Sequence, residues 1–333
     1  MRRQFVNDPQ DHVREALGGF ERANPTLVRW DREGNFVARA TPAGAPKVGL
    51  LAGGGSGHEP LHGGFVGTGM LDAAVPGAIY SSPTAAQFEA ATRAVDTGAG
   101  VLHIIKNYTG DKLNAGIAAE LVADDGIAVE RVLVADDLAT ESDDPRAPGR
   151  RGTAAVIAVE KLCGAAAERG ASLAELAELG NRVAAGARTL ALALASCAHP
   201  GEGHPSFELA DDEVEFGVGI HGERGIEKRP FAPANDLAGQ LTEPVADALG
   251  LATGEQVIVI VNGLGATHGL ELHVVFAEVA RRLDARGVTV ARSLVGPYLT
   301  ALDMAGLSVT LVRVDDALLE LWDAPVRTAA LTW

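Results

Sequence analysis

Cysteine is scarce in this chain: Cys163 and Cys197 are the only two in 333 residues. Both lie in Ala/Leu-rich segments and read as small core residues of a protein kept in a reducing compartment. Positive charge is short as well, with 28 Lys and Arg against 44 Asp and Glu and a net charge of −16. That balance argues against a nucleic-acid backbone or an anionic membrane as the main partner. Long apolar runs are missing: the longest, Leu190 to Ala198, is interrupted by Ser196 and is far too short to span a bilayer. The start, Met1 to Asp8, carries charge with no apolar stretch behind it, so no signal peptide and a cytoplasmic location are expected. No G-x-x-x-x-G-K-[ST] occurs, hence no ATP-binding P-loop is visible. There is no repeat of fixed period and no low-complexity segment.

What is abundant is apolar residues, at 47%, and glycine, at 40 of 333. The glycine share, about 12%, exceeds the usual ~7% and points to many turns or backbone-lined sites. The length suits two α/β domains, each a mixed or mostly parallel sheet flanked by helices, over residues 1–186 and 187–333.

The chain is organised around residues 48–62. Val48 to Ala52 reads as a buried strand of the parallel kind, which breaks straight into Gly53, Gly54, Gly55, Ser56 and Gly57. Such glycines bring bare backbone N–H groups close to a ligand, and the carboxyl ends of strands are where open α/β sheets bind ligands. Around it the periodicity predicts helix over 9–21, strands at 27–30 and 36–39, and alternating segments at 70–75 and 78–80. Ser82 is the expected N-cap, with Pro83 at the first position, of a helix running to Val95. A buried strand 101–105, polar loop 106–111, helix 113–122 and strand 131–135 make a βαβ pattern. A polar loop over 136–152 and helices over 153–169 and 173–185 follow. The second half reads as strand 189–196, strand 213–219, helix 236–248, strand 256–261, helix 267–283 and strands 288–293 and 307–313.

His58-Glu59-Pro60-Leu61-His62 matches H-E-x-x-H, the zinc-protease pattern. That pattern needs both histidines on one helix face, and Pro60 breaks such a helix. No Glu lies between Glu59 and Glu89 to complete the ligand set, so no metal is expected. Gly217 to Gly222 fits G-x-G-x-x-G, but Pro230 and Pro233 rule out the long helix of a dinucleotide fingerprint. Lys106 and Asp111 flank the loop after a buried strand. Asp111 is either the cap of the next helix or a general base with a cation nearby to hold it ionised. His221 is either an ordinary turn histidine or a nucleophile. His199, Glu202 and His204 sit in a Pro/Gly loop and support the surface rather than bind metal.

Taken jointly, several long stretches resemble the substrate-binding subunit of dihydroxyacetone kinase, the DhaK family. They are Gly53 to Pro60, Ile104 to Asp111, Gly152 with Glu160 to Gly170, Glu215 to Glu223, Val261 to Thr267, Leu302 to Met304 and Leu321 to Pro325. The likeness runs from about Phe5 to Trp333. It implies a phosphotransferase subunit in which His221 adds to the substrate's ketone carbon as a covalent hemiaminal, with His58 and Asp111 catalytic. A neutral imidazole is nucleophilic, which suits that role. Gly55, Ser56, Gly57 and Lys106 match positions around the ligand. The resemblance further implies a homodimer with no cofactor of its own, the ADP or ATP and magnesium lying on a separate DhaL-type subunit. The substrate it implies is dihydroxyacetone or a four-carbon ketose such as erythrulose. A non-catalytic dihydroxyacetone-sensing transcriptional co-regulator is the alternative from the same family. Such a sensor needs His221 but no general base. Arg224 and His268 depart from the pattern, each standing where many relatives have proline.

Overall fold

Alternation and turn chemistry place most of the strands; their pairing settles the architecture. A computed structural model describes residues 3–144, 146–201 and 204–333. Two compact units are present, and both are discontinuous in sequence. One comprises Val6–Val134, Val156–Ala184 and Glu320–Trp333; the other comprises Met1–Phe5, Ala135–Ala155 and Ala185–Leu319. The expectation was a single boundary between residues 186 and 187. Instead 135–155 and 320–333 each join the unit away from their neighbours in sequence, because long-range packing rather than chain order decides membership.

The first unit opens with helix α1 (His12–Ala23) and strands β1 (Val28–Asp31) and β2 (Phe36–Arg39). Then come β3 (Gly49–Ser56), β4 (Ala73–Ile79), helix α2 (Ala85–Val95), β5 (Val101–Lys106), helix α3 (Thr109–Ala123) and β6 (Val129–Val134). The sheet order is β1-β2-β4-β3-β5-β6. β3 lies parallel to β4 and to β5, and β5 parallel to β6, while β1 and β2 add an antiparallel edge. A strand with parallel neighbours on both sides is covered on both faces, which explains the unbroken apolar run Val48 to Ala52. Leu51, Val75, Phe88, Ala91, Val101, Ile105, Ala115 and Ala118 form one core cluster under α2 and α3. Burying a side chain such as Phe88 contributes roughly 1.5–3 kcal/mol. The same unit holds helices α4 (Ala155–Glu168) and α5 (Leu173–Ala185), of which only Ala155 and Ala185 belong to the other unit. A side chain at Gly180 would meet Val132, so α5 lies close on β6.

The α2 start differs from the expectation. Thr84, not Ser82, is the N-cap, and it forms a capping box with Gln87. Thr84 has a Gln three residues on to reciprocate; the residue three after Ser82 is Ala85.

In the second unit β7 (Ala187–Ala195), β8 (Glu213–Phe216) and β9 (Glu227–Pro230) are followed by α6 (Ala234–Ala248) and β10 (Gln256–Gly263). α7 (Gly269–Ala285), β11 (Thr289–Gly296) and β12 (Ala305–Val314) complete the sheet, in the order β11-β10-β12-β7-β8-β9. Only β10 and β11 pair in parallel; the other pairings are antiparallel. Val257, Val259 and Val261 point to one face, where Leu237, Leu241, Leu272 and Val279 of α6 and α7 meet them. Helix α8 (Asp316–Asp323) and strand β9 were not expected from periodicity: both are short, and β9 is a charged edge strand. Both sheets are mixed, as the two-domain α/β reading requires.

Candidate active site

Glycines at the end of β3 are explained by what presses on them. A Cβ at Gly54 would lie 2.5 Å from Lys106 Nζ, and one at Gly55 would lie 2.8 Å from the backbone N of Ser81. Gly55 therefore has no room for a side chain against the backbone of Tyr80 and Ser81, whereas at Gly54 the space is taken by the end of the Lys106 side chain. Gly57 has φ of 100°, and its N–H donates to the Glu59 carboxylate at 3.0 Å. Ser56 Oγ donates to Gly77 O at 2.7 Å, tying the loop to β4.

His58 follows, buried, its ring stacked on Tyr80 at 5.2 Å between centroids with 23° between planes. Residues 58–62 turn rather than form a helix, so His58 and His62 share no helix face. His62 instead faces inward, with Nδ1 2.5 Å from Glu160 Oε1 and Nε2 2.8 Å from Lys106 Nζ. Among the described residues, no group of three or more His, Cys, Asp or Glu is placed to hold a metal.

β5 pairs with β3 so that Gly53 lies opposite Ile105, which brings Lys106 level with Gly54. Lys106 is 1% exposed. Three residues further on, α3 begins, and Asp111 lies inside its first turn, with Tyr108 at the N-cap. The capping reading of Asp111 therefore does not hold. Its carboxyl is buried, and burial raises its pKa above 3.8, while Lys106 and a hydrogen bond from Ser82 pull it back down. A carboxylate so placed is a stronger proton acceptor than a solvated one and is held ionised by a specific cation.

His221 belongs to the second unit, half-buried in the loop between β8 and β9. Glu223 fixes that turn: Oε2 accepts the His221 N–H at 2.7 Å and Oε1 meets Arg151 Nη1 at 2.9 Å. Arg151 also donates to Asp137 Oδ2 at 2.7 Å and to Gly217 O at 2.9 Å. Asp137 is pushed up to about 6, chiefly by burial, with Arg151 opposing. The G-x-G-x-x-G stretch is a turn leading to β9, so no dinucleotide helix follows it. Arg224 is exposed three residues from His221, and His268 is exposed just before α7, its N–H donating to Glu271. His199 and His204 lie in the loop between β7 and β8, and Glu202 lies outside the described residues.

Gly55, Ser56, Gly57, His58, Lys106 and Asp111 thus belong to one unit and cluster at the carboxyl ends of β3 and β5; His221 stands on the other unit. Two residues in this cluster had no role in the sequence reading beyond a motif match: His62 and Glu160. The available signal was Glu160 itself, a carboxylate in the apolar run Ala155-Val156-Ile157-Ala158-Val159 before Leu162 and Cys163.

Residues 18–330 match the Dak1 domain model. The chain is 44% identical to the PEP-dependent dihydroxyacetone kinase, dihydroxyacetone-binding subunit DhaK, of Escherichia coli, over 99% of each chain. Among solved structures it is similar to the dihydroxyacetone kinase of C. freundii in its native form, with a TM-score of 0.88 and 32% identity, over all of this chain and 60% of that one. It is equally similar in fold to a dihydroxyacetone kinase operon co-activator, DhaQ, with a TM-score of 0.88 and 34% identity over 95% of this chain and 96% of that chain. With a near-complete domain match, and identity sustained from end to end, the chain belongs to the DhaK family.

Proposed function

We propose that this chain is the ketose-binding, catalytic subunit of a dihydroxyacetone kinase, a phosphotransferase with an alcohol group as acceptor. The observation that carries this reading is the buried set of His58, Lys106 and Asp111 at the glycine-lined ends of β3 and β5, in a chain so similar to DhaK subunits along its whole length. The unprotonated ring nitrogen of His221 adds to the ketone carbon as the carbonyl π bond breaks; the oxygen takes up a proton, the other ring nitrogen gives up its N–H proton, and a neutral hemiaminal forms. An adduct at a carbonyl separates ketoses from glycerol, which hydrogen bonds to hydroxyls alone do poorly. His58 hydrogen-bonds and polarises the bound ketose. Asp111 accepts the proton of the primary hydroxyl as its oxygen attacks phosphorus, and Lys106 keeps Asp111 ionised. Catalysis of phosphoryl transfer rests mainly on such positioning.

The phosphoryl donor, ADP or ATP with magnesium, belongs in this reading to a separate DhaL-type subunit. The C. freundii kinase, whose chain is longer, has a structure in complex with AMP-PNP and Mg2+. A cytoplasmic homodimer completes the proposal. The co-regulator reading is not favoured, because a sensor has no use for a buried general base, and this chain carries both His58 and Asp111.

The test combines the chain with a nucleotide-binding subunit, donor and dihydroxyacetone or erythrulose. Asp111→Ala is expected to abolish phosphorylation while adduct formation, followed by mass spectrometry of the intact chain with and without the ketose, persists. Turnover surviving Asp111→Ala rejects the base assignment, and the preferred ketose is read from relative kcat/KM.

A further inference from the structure

His62 stands between Lys106 and Glu160 in a buried file. Its ring is 2.8 Å from Lys106 Nζ on one side and 2.5 Å from Glu160 Oε1 on the other, with the His62 and Glu160 side chains 4% and 0% exposed. An ammonium has donors and no acceptor, so His62 Nε2 must accept from Lys106. The proton of the neutral imidazole then sits on Nδ1, which donates to Glu160 Oε1. Glu160 Oε2 is buried and has no hydrogen-bond partner among the described residues, so the carboxylate's hydrogen bonding runs along this line. A carboxylate this deep in an apolar helix costs stability compared with an apolar side chain of the same volume.

The charged and titratable groups facing the file are His58 beside His62, Asp111 beside Lys106, and Cys163 beside Glu160 on α4. Burial holds His62 well below and Glu160 well above their ordinary pKa values; Lys106 opposes the shift of Glu160 and reinforces that of His62. The file also has a second state of equal net charge. Lys106 passes a proton to Nε2 while Nδ1 passes its proton to Oε1, leaving amine, imidazole and carboxylic acid all neutral.

We propose that Glu160, acting through His62, is a positioning residue that fixes the Lys106 ammonium against Gly54 and sets its charge in the ketose site. The resting state is Lys106 as ammonium, His62 protonated on Nδ1 and Glu160 as carboxylate. The proposal rests on the kinase reading for its consequence in turnover, but the tautomer it assigns does not.

Glu160→Gln is the informative variant, since its amide oxygen still accepts from Nδ1 while the negative charge is gone. In the assay with dihydroxyacetone and the nucleotide-binding subunit, it is expected to lose about tenfold in kcat/KM with an unchanged melting temperature. Its alkaline limb should move to lower pH by about one unit, because Lys106 has lost its distant counter-charge. In a Lys106→Met background, Glu160→Gln should cost nothing further. A folded Glu160→Gln with the wild-type pH profile overturns the proposal, as does an added loss in the double variant. Long-range proton–nitrogen spectra of 15N-histidine-labelled wild-type chain give a readout independent of folding of any variant and of turnover. His62 should show a protonated Nδ1 and an unprotonated Nε2; the reverse tautomer, or an imidazolium, overturns the assignment. If wild type phosphorylates no ketose, the kinase reading fails, and these spectra alone decide the file.

Discussion

Lys106 Nζ occupies the space that a side chain at Gly54 would need: a Cβ there would stand 2.5 Å from the nitrogen and 3.6 Å from His62 Nε2. The glycine of the loop and the lysine of the neighbouring strand are one device. Gly54 is small so that a buried cation can lie flush against the strand end where the ketose is proposed to bind.

Gly54→Ala should therefore displace the ammonium while leaving the sheet paired, because the clash is with the far end of a side chain and not with backbone. The expected result is a loss of kcat/KM of about a hundredfold with a stability change of only about 1 kcal/mol. Steady-state kinetics beside urea unfolding of the same preparation checks it; an active Gly54→Ala would mean that Lys106 does not need its place.

Asp111 makes the opposite trade. Its pKa is raised by burial, so its contribution to stability is present at low pH and is lost as pH rises through its folded pKa. Asp111→Asn should consequently be as stable as wild type at neutral pH or more so, although it abolishes transfer. The acid limb of kcat should lie above the ordinary Asp value. Lys106→Met, by removing the cation that lowers the Asp111 pKa, should shift that limb to still higher pH. Thermal unfolding and pH–rate profiles of the variants decide both parts.

How much of this was legible beforehand follows from which interactions are local. The run Val48 to Ala52, the glycines after it and the positions of Lys106 and Asp111 were readable because strand burial and loop chemistry are written within a few residues. Glu160 was not: its partner His62 is far away in sequence, and periodicity says nothing about what a helix presses against. The interleaved units were hidden for the same reason, since β6 leaves one unit at Val134 and α4 returns to it at Val156. The charged strand β9 escaped because Glu227 to Pro230 has no apolar alternation; its pairing with β8 supplies what its side chains do not. The roles of His58, Asp111 and His221 came from likeness to a family, not from spacing.

In the second unit, Asp137 gives a pH test that needs no substrate. Its pKa of about 6 against an ordinary 3.8 means that the folded state gains stability from this group as pH falls through 6 toward 4. Wild type should gain on Asp137→Asn by about 2–3 kcal/mol over that interval, which differential unfolding at pH 7 and pH 4 measures. A constant gap between the two proteins would show that Asp137 stays ionised throughout. Arg151→Met should act on the same turn from the other side, freeing Glu223 and slowing adduct formation at His221 without preventing it.

The last relationship concerns α4, which carries Glu160. One turn beyond it, a Cβ at Gly164 would stand 2.4 Å from Met70 Cα and 2.5 Å from Gly69 O. Both are backbone atoms of the loop before β4, so neither can rotate away. Gly164→Ala must lift the helix off that loop, at a cost of about 2–3 kcal/mol. Because Glu160 lies on the same face one turn earlier, the lift should also lengthen its 2.5 Å contact with His62. Gly164→Ala is thus expected to lower the melting temperature and, in the molecules still folded, to reproduce the alkaline shift of Glu160→Gln. Loss of stability with a wild-type pH profile would show instead that the loop, not the helix, gives way.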